Sequence, residues 1–107
     1  MNSLVDFFKA MGEETRVKIL MMLFEEEMCI CELIEELQLS QSAVSHHVKI
    51  LKQAGLVNDR RDGKWTFCSI NQAGFKTQLD VLQDKIVKLV DEYEYQIKAE
   101  PKSRTEN

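Results

Sequence analysis

The sequence predicts a mainly α-helical chain with one small β-hairpin, a winged helix-turn-helix that dimerises through its first and last helices. Three features predict it. Residues 40–56 hold a helix-length stretch with one apolar side and one polar side free of carboxylates. A short apolar stripe lies just upstream, across a three-residue break, which is the spacing of a DNA-binding helix pair. Just downstream, Asp62-Gly63 joins two β-prone runs, a strong hairpin signal.

From the start of the chain, Leu4, Phe7, Phe8 and Met11 form an apolar helical stripe that Gly12 ends. Glu13 and Glu14 open a second helix, at the end where acidic side chains suit the dipole. That helix is expected to bury Val17, Leu20, Met21 and Phe24. Ile30, Leu33, Ile34 and Leu37 repeat at helical spacing, and Gln38-Leu39-Ser40 separates them from the next helix.

In that next helix, at about 100° per residue, Val44, His47, Val48 and Leu51 fall on one side. Ser42, Ser45, His46, Lys49 and Gln53 fall on the other, with Gln41 at the opening turn. These groups donate to phosphates and to base edges in a major groove, where a carboxylate would be repelled. Ser40 suits the N-cap and Gly55 the C′ position. A solvated amphipathic helix could look the same in isolation; the helix before it and the hairpin after it favour a recognition helix. Arg60, Arg61 and Lys64 cluster around the hairpin turn, as in a wing that grips backbone beside the groove. Finally, Phe75, Leu79, Leu82, Ile86, Leu89 and Tyr93 recur at spacings of four and three. So much apolar surface on so short a chain predicts a homodimer, its recognition helices roughly 34 Å apart on double-stranded operator DNA.

Charge is distributed to match. The chain carries a formal net charge of −4, which by itself argues against a nucleic-acid partner. Residues 1–40 carry 3 basic and 9 acidic side chains, whereas residues 41–70 carry 5 basic and 2 acidic. The basic block is the recognition helix and wing. Residues 1–98 are expected to form one DNA-binding and dimerisation domain, and 99–107 a polar, disordered tail. No run of about 18 apolar residues exists to span a membrane, and no secretory leader is apparent. Three cysteines without framework spacing fit a reducing cytoplasm.

Several strings resemble the ArsR/SmtB family of winged-helix repressors: Met11 through Leu20, Gln41 through Val57, and Gly63-Lys64-Trp65. The resemblance spans roughly residues 4–95. It implies a dimeric repressor that leaves its operator when an inducer binds, needing no cofactor otherwise. Met28-Cys29-Ile30-Cys31-Glu32-Leu33 resembles the family's Cys-x-Cys box, whose thiolates hold As(III), Sb(III), Cd(II) or Pb(II) in metal-sensing members. Soft thiolates select soft ions, and a helix N-terminus favours the thiolate. Inside a regular helix, residues two apart point about 200° from each other, so Cys29 and Cys31 could chelate one ion only from a distorted helix start.

The family's third box cysteine is replaced here by Ile34, and no thiol precedes Cys29. Cys68 is expected to point away from the pair, as a small buried hydrophobe. Residues 75–98 hold carboxylates but no histidine, which disfavours a zinc site on the final helix. His46 is expected to face the groove and His47 to be partly buried and satisfied. Two further readings of the cysteines stay open: a redox or reactive-sulfur sensor, and plain packing residues. No residues are assigned to catalysis, since the thiols and His46 are not expected to converge and no Gly-rich phosphate loop is present. An apolar face in place of Ser42, Ser45, His46 and Lys49 would have suggested protein contacts instead.

Overall fold

The computed structural model describes residues 2–99. Helix α1 (Asn2–Met11) and helix α2 (Glu14–Glu25) are followed by a two-residue strand β1 (Met28–Cys29). Helices α3 (Ile30–Leu37) and α4 (Gln41–Gln53) then form the helix-turn-helix, and β2 (Val57–Asp62) with β3 (Trp65–Ile70) forms the wing. The described residues end in one continuous rod: α5 (Gln72–Leu82), a π-helical stretch (Gln83–Val87) and α6 (Lys88–Ala99).

Local chemistry sets the boundaries. The Glu13 carboxylate accepts the Arg16 amide and caps α2. Ser40 accepts the Ala43 amide at 3.1 Å and caps α4, as expected. At the other end of α4 the Gly55 amide donates to Lys52 and the Leu56 amide to Leu51, each at 3.0 Å, with Gly55 at φ +79°. That pairing closes the last carbonyls of the helix, and the fully buried Leu51 and Leu56 supply the accompanying apolar contact. Gln38 ends α3 in the left-handed region at φ 57°.

The core gathers Ile19, Leu20, Leu23, Leu33, Val44, Val48, Leu51, Leu56, Val57 and Cys68, with Leu4, Phe7 and Ala10 of α1 against it. The burial expected for α2 is corrected here. Ile19, Leu20 and Leu23 are buried, whereas Val17 is half-buried and Met21 and Phe24 are exposed. Helix α2 has neighbours on more than one side: α1, α4 and β3 all touch it, which rotates the buried face from the one the spacing suggested. Phe24 still packs on Phe75 at 5.3 Å between ring centroids.

Three-stranded antiparallel pairing in the order β1-β3-β2 replaces the simple hairpin. Met28 pairs with Cys68 and Cys29 with Phe67. Asp62 pairs with Trp65, so the two-residue loop is Gly63-Lys64, one position beyond the Asp-Gly pair. Gly63, at φ +63°, takes the first central position, where this loop type needs glycine.

The rod gives the molecule its dimensions of 65 × 27 × 24 Å. Its predicted apolar seam divides. Phe75 and Leu82 pack against the core, but Leu79, Ile86, Leu89 and Tyr93 are exposed. Val87, the last residue of the π-helical stretch that shifts the register of the turns, and Val90 and Ile97 beyond it are exposed with them. Of the residues expected to form a tail, Ala99 ends α6 and 100–107 lie outside the described residues. Among the described residues, no helix is long and apolar enough to cross a membrane.

Candidate nucleic-acid interface and thiol pair

The polar side of α4 is presented as its periodicity predicts. Gln41, Ser42, His46, Lys49 and Gln53 are exposed and Ser45 is half-buried, while Val44, Val48 and Leu51 fill the core beneath. The Ser42 hydroxyl lies 3.3 Å from that of the capping Ser40, which orients it at the first turn. No carboxylate stands on this helix. Lys49 forms no ion pair among the described residues, so its ammonium remains available.

The neighbouring cations divide into two kinds. Lys52 is held by Asp59 at 3.0 Å. Arg60 makes a two-pronged pair with Glu27, at 2.9 and 3.1 Å, and its guanidinium lies 4.6 Å from the Phe67 ring centroid. The pair holds the Glu27 carboxyl below its ordinary range and raises the Arg60 guanidinium above its own, the hydrogen bond being the main cause on both sides. Arg61 and Lys64 are exposed at the wing tip, Lys64 lying 5.2 Å from the Trp65 ring centroid. The structure therefore separates the three wing cations that the sequence grouped. Strand alternation sends Arg60 to the opposite face from Arg61, toward Glu27.

The cysteines also sit differently from expectation. Cys29 is outside α3, in extended backbone at φ −70°, ψ 149°, while Cys31 is in the first turn. The boundary between strand and helix turns the two side chains toward each other, and they are joined as a disulfide with Cα atoms 5.2 Å apart. Helix distortion is not required. Cys29 also caps α3: its sulfur accepts the Cys31 amide at 3.2 Å, and its own amide donates to Glu32 at 2.7 Å. Cys29 is buried and Cys31 exposed. Cys68 is fully buried on the other face of the sheet, and burial pushes its thiol up to about 11. Among the described residues, no three His, Cys, Asp or Glu side chains converge in a way that could hold a metal ion.

Sequence reasoning missed a polar knot beneath α4. The Arg16 guanidinium donates to the carbonyls of Ala10 (2.8 Å) and Lys9 (3.2 Å) and reaches His47 Nδ1 at 3.2 Å. A lone arginine early in a helix reads as a solvated charge, so only the fold discloses this role. The partial burial expected for His47 is found, and Arg16 supplies its partner.

Comparison with known proteins agrees with this geometry. The sequence model described as "Bacterial regulatory protein, arsR family" matches residues 13–59. An HTH-type transcriptional regulator of Methanocaldococcus jannaschii is 43% identical over 88 residues, covering 81% of this chain and 90% of that protein. The arsenical resistance operon repressor of Escherichia coli is 40% identical over 62 residues, and the match spans about half of each chain: 57% of this one and 53% of the repressor. The solved structure of HlyU from Vibrio cholerae superposes with a TM-score of 0.65 at 35% identity, covering 80% of this chain and 94% of that one. HlyU has also been solved in a form described as reduced. These relatives are transcriptional regulators, not enzymes.

Proposed function

We propose, from the premise that this chain belongs to the arsR family of bacterial regulatory proteins, that it is a homodimeric repressor whose hold on operator DNA is set by the Cys29–Cys31 pair. One observation carries the DNA reading. Gln41, Ser42, Ser45, His46, Lys49 and Gln53 share the open side of a carboxylate-free helix, with Arg61 and Lys64 at the wing tip. Other nearby cations, Lys52 and Arg60, already have carboxylate partners. Arg60 thus supports the wing from behind, and Arg61 and Lys64 are its phosphate contacts.

The exposed apolar residues of the rod, Leu79, Ile86, Leu89, Val90 and Tyr93, with Val5 and Phe8 on α1, are the surface a second copy covers. Two-fold symmetry then sets two copies of α4 about one turn of duplex apart, roughly 34 Å.

For the signal, the bonded state of the pair favours a dithiol–disulfide sensor. In the reduced form the exposed Cys31 thiolate attacks a peroxide, leaving a sulfenic acid and an alcohol or water. The Cys29 thiol then displaces water to close the disulfide, so two thiols lose two protons and two electrons to the peroxide. Cys29 both caps α3 and pairs with Phe67 of the wing, so the bond state bears on both parts of the DNA surface.

A second reading, induction by As(III), Sb(III), Cd(II) or Pb(II), draws support from the relatives named for arsenical and cadmium resistance. Two sulfurs fall short of the three that a trivalent soft ion takes from a Cys-x-Cys box with its third cysteine, and no step is assigned to an ion. The test uses duplexes selected from a random pool by the reduced protein. Release of DNA by peroxide, reversed by dithiothreitol and lost in Cys31→Ser, supports the redox sensor. Release by arsenite under full reduction, with no response to peroxide, overturns it in favour of the soft-ion reading. Failure to select any sequence defeats the DNA reading itself.

A further inference from the structure

We propose that Arg16 is a positioning residue that ties the dimer helix α1 to the recognition helix α4 through His47, and that protonation of His47 unties them. The proposal rests on the DNA-binding reading above and adds a regulation to it. Arg16 sits at the junction of three elements. Belonging to α2, it caps the carbonyl end of α1 by donating to Lys9 and Ala10, and its Nη1 reaches His47 Nδ1 on α4 at 3.2 Å. A guanidinium has only donors, so Nδ1 must accept, and the ring must be neutral with its proton on Nε2. The contact exists in one protonation state only.

The charged surroundings of His47 set the direction. From α2 come Arg16 at 3.2 Å and the Glu13 carboxylate at 4.0 Å. On α4 itself the His46 ring is 5.9 Å away between centroids. From α1, Asp6 and Lys9 line the adjacent cleft with Ile50 and Gln53 of α4. Protonation places an N–H against the Arg16 N–H groups and repels the guanidinium, while Glu13 attracts the new imidazolium. His47 then pairs within the α2 N-terminus, and the link through Arg16 to α1 is lost. Histidine is the side chain whose unperturbed form changes charge between pH 5 and 8. In a dimer joined through α1 and the rod, that link fixes where each α4 stands relative to its partner copy. Its loss loosens the spacing of two helices that must meet two half-sites at once.

The sign is diagnostic. Acidification ordinarily strengthens DNA binding by adding positive charge, and a protonated His46 on the groove face would add to that gain. The proposal requires the opposite: operator affinity of the reduced wild type falls about tenfold or more from pH 8 to pH 5.5 at constant salt, the scale of one charge-assisted hydrogen bond. In His47→Asn, whose Oδ1 stands where Nδ1 does and accepts from Arg16 without titrating, the fall disappears. In His46→Gln it persists or steepens. Arg16→Lys cannot reach all three acceptors, binds more weakly at pH 8 and loses the fall. A second readout needs no DNA: hydrogen exchange of amides in the last turn of α1 accelerates on acidification in wild type and not in His47→Asn. A wild-type affinity that rises on acidification, or a His47→Asn profile parallel to wild type in both assays, overturns the proposal. If no duplex is bound at any pH the DNA reading fails, and the exchange measurement still decides whether His47 controls the link.

Discussion

The three cysteines show how far residue type alone can be read. Their number and the Cys-x-Cys spacing are visible in the sequence, but their reactivity depends on where the strand gives way to the helix. Cys68 follows the sequence reading: paired with Met28 and shut inside the sheet, it is a buried hydrophobe. Its raised value of about 11 has a stability consequence. The unfolded thiol ionises near pH 8.5, the folded one only near 11, so the unfolded chain sheds its proton first as pH rises. Stability from this group is intact below about pH 8.5 and is lost as pH climbs toward 11. Denaturant midpoints should fall over that window, and the fall should be shallower in Cys68→Ala at its own lower baseline. In native reduced protein at pH 8, alkylation should mark Cys31 first and Cys29 more slowly, leaving Cys68 unlabelled until the chain unfolds. Peptide mass analysis of a time course reads the order; early labelling of Cys68 would contradict the burial. The relation of Cys29 to Cys31 was not legible beforehand, because helical periodicity says nothing about a residue one position outside the helix.

Elements with strong periodicity and capping were legible: α1, α3, α4 and both wing strands lie close to where the pattern puts them. Two features were not. Strand β1 is two residues long and exists because β3 offers a free edge, a long-range fact that no local pattern carries. The seating of α5 on the end of α4 is the other. A Cβ on Gly74 would fall well inside contact distance of the Gly55 carbonyl oxygen, so the two backbones touch where one ends and the other begins. Asn71 braces the same corner, accepting the Gly74 amide at 3.0 Å while its own amide donates to Leu56 at 2.9 Å. Gly74→Ala must push backbone from backbone, so we expect a loss of about 1–3 kcal/mol, the range of overpacking substitutions, and a lower melting temperature by calorimetry. Helix propensity alone would predict a gain of about 1 kcal/mol from the same change, which makes the sign decisive. For the wing, Arg61→Ala and Lys64→Ala should weaken binding about equally for all sequences and each reduce the salt slope by about one. Arg60→Ala should leave that slope nearly unchanged, because Glu27 already neutralises its charge. Equal slope losses for Arg60 and Arg61 in salt-titrated gel shifts would return Arg60 to the DNA-contacting set.

At the scale of the whole molecule, the net charge of −4 and the basic block at 41–70 are reconciled by geometry. Among the described residues, carboxylates of the first forty residues reach the 41–70 block at Glu27 on Arg60 and, at 4.0 Å, at Glu13 beside the half-buried His47, and neither contact covers the exposed side of α4 or the wing tip. The rod sets the second large-scale requirement. A single copy exposes Leu89, Val90, Tyr93 and Ile97 at 52–67% of their surface, far more apolar area than one helix standing off a domain keeps in water. The apolar seam itself was legible from its four-and-three spacing. Which of its residues turn inward was not, because the π-helical stretch rephases the turns after Leu82. A charge placed on the seam therefore separates assembly from folding. In Leu89→Glu the core is untouched, so far-UV circular dichroism and the thiol reactivity of Cys31 should match wild type. In the proposed dimer a carboxylate brought into the seam would be buried without a partner, so sedimentation should give the mass of one chain. Operator affinity should then fall by at least a hundredfold, since one recognition helix and one wing no longer help hold the other pair in place. If Leu89→Glu sediments as a dimer, the rod does not form the subunit contact. If it is a monomer that binds the full operator as tightly as wild type, the spacing of two α4 helices does not set recognition.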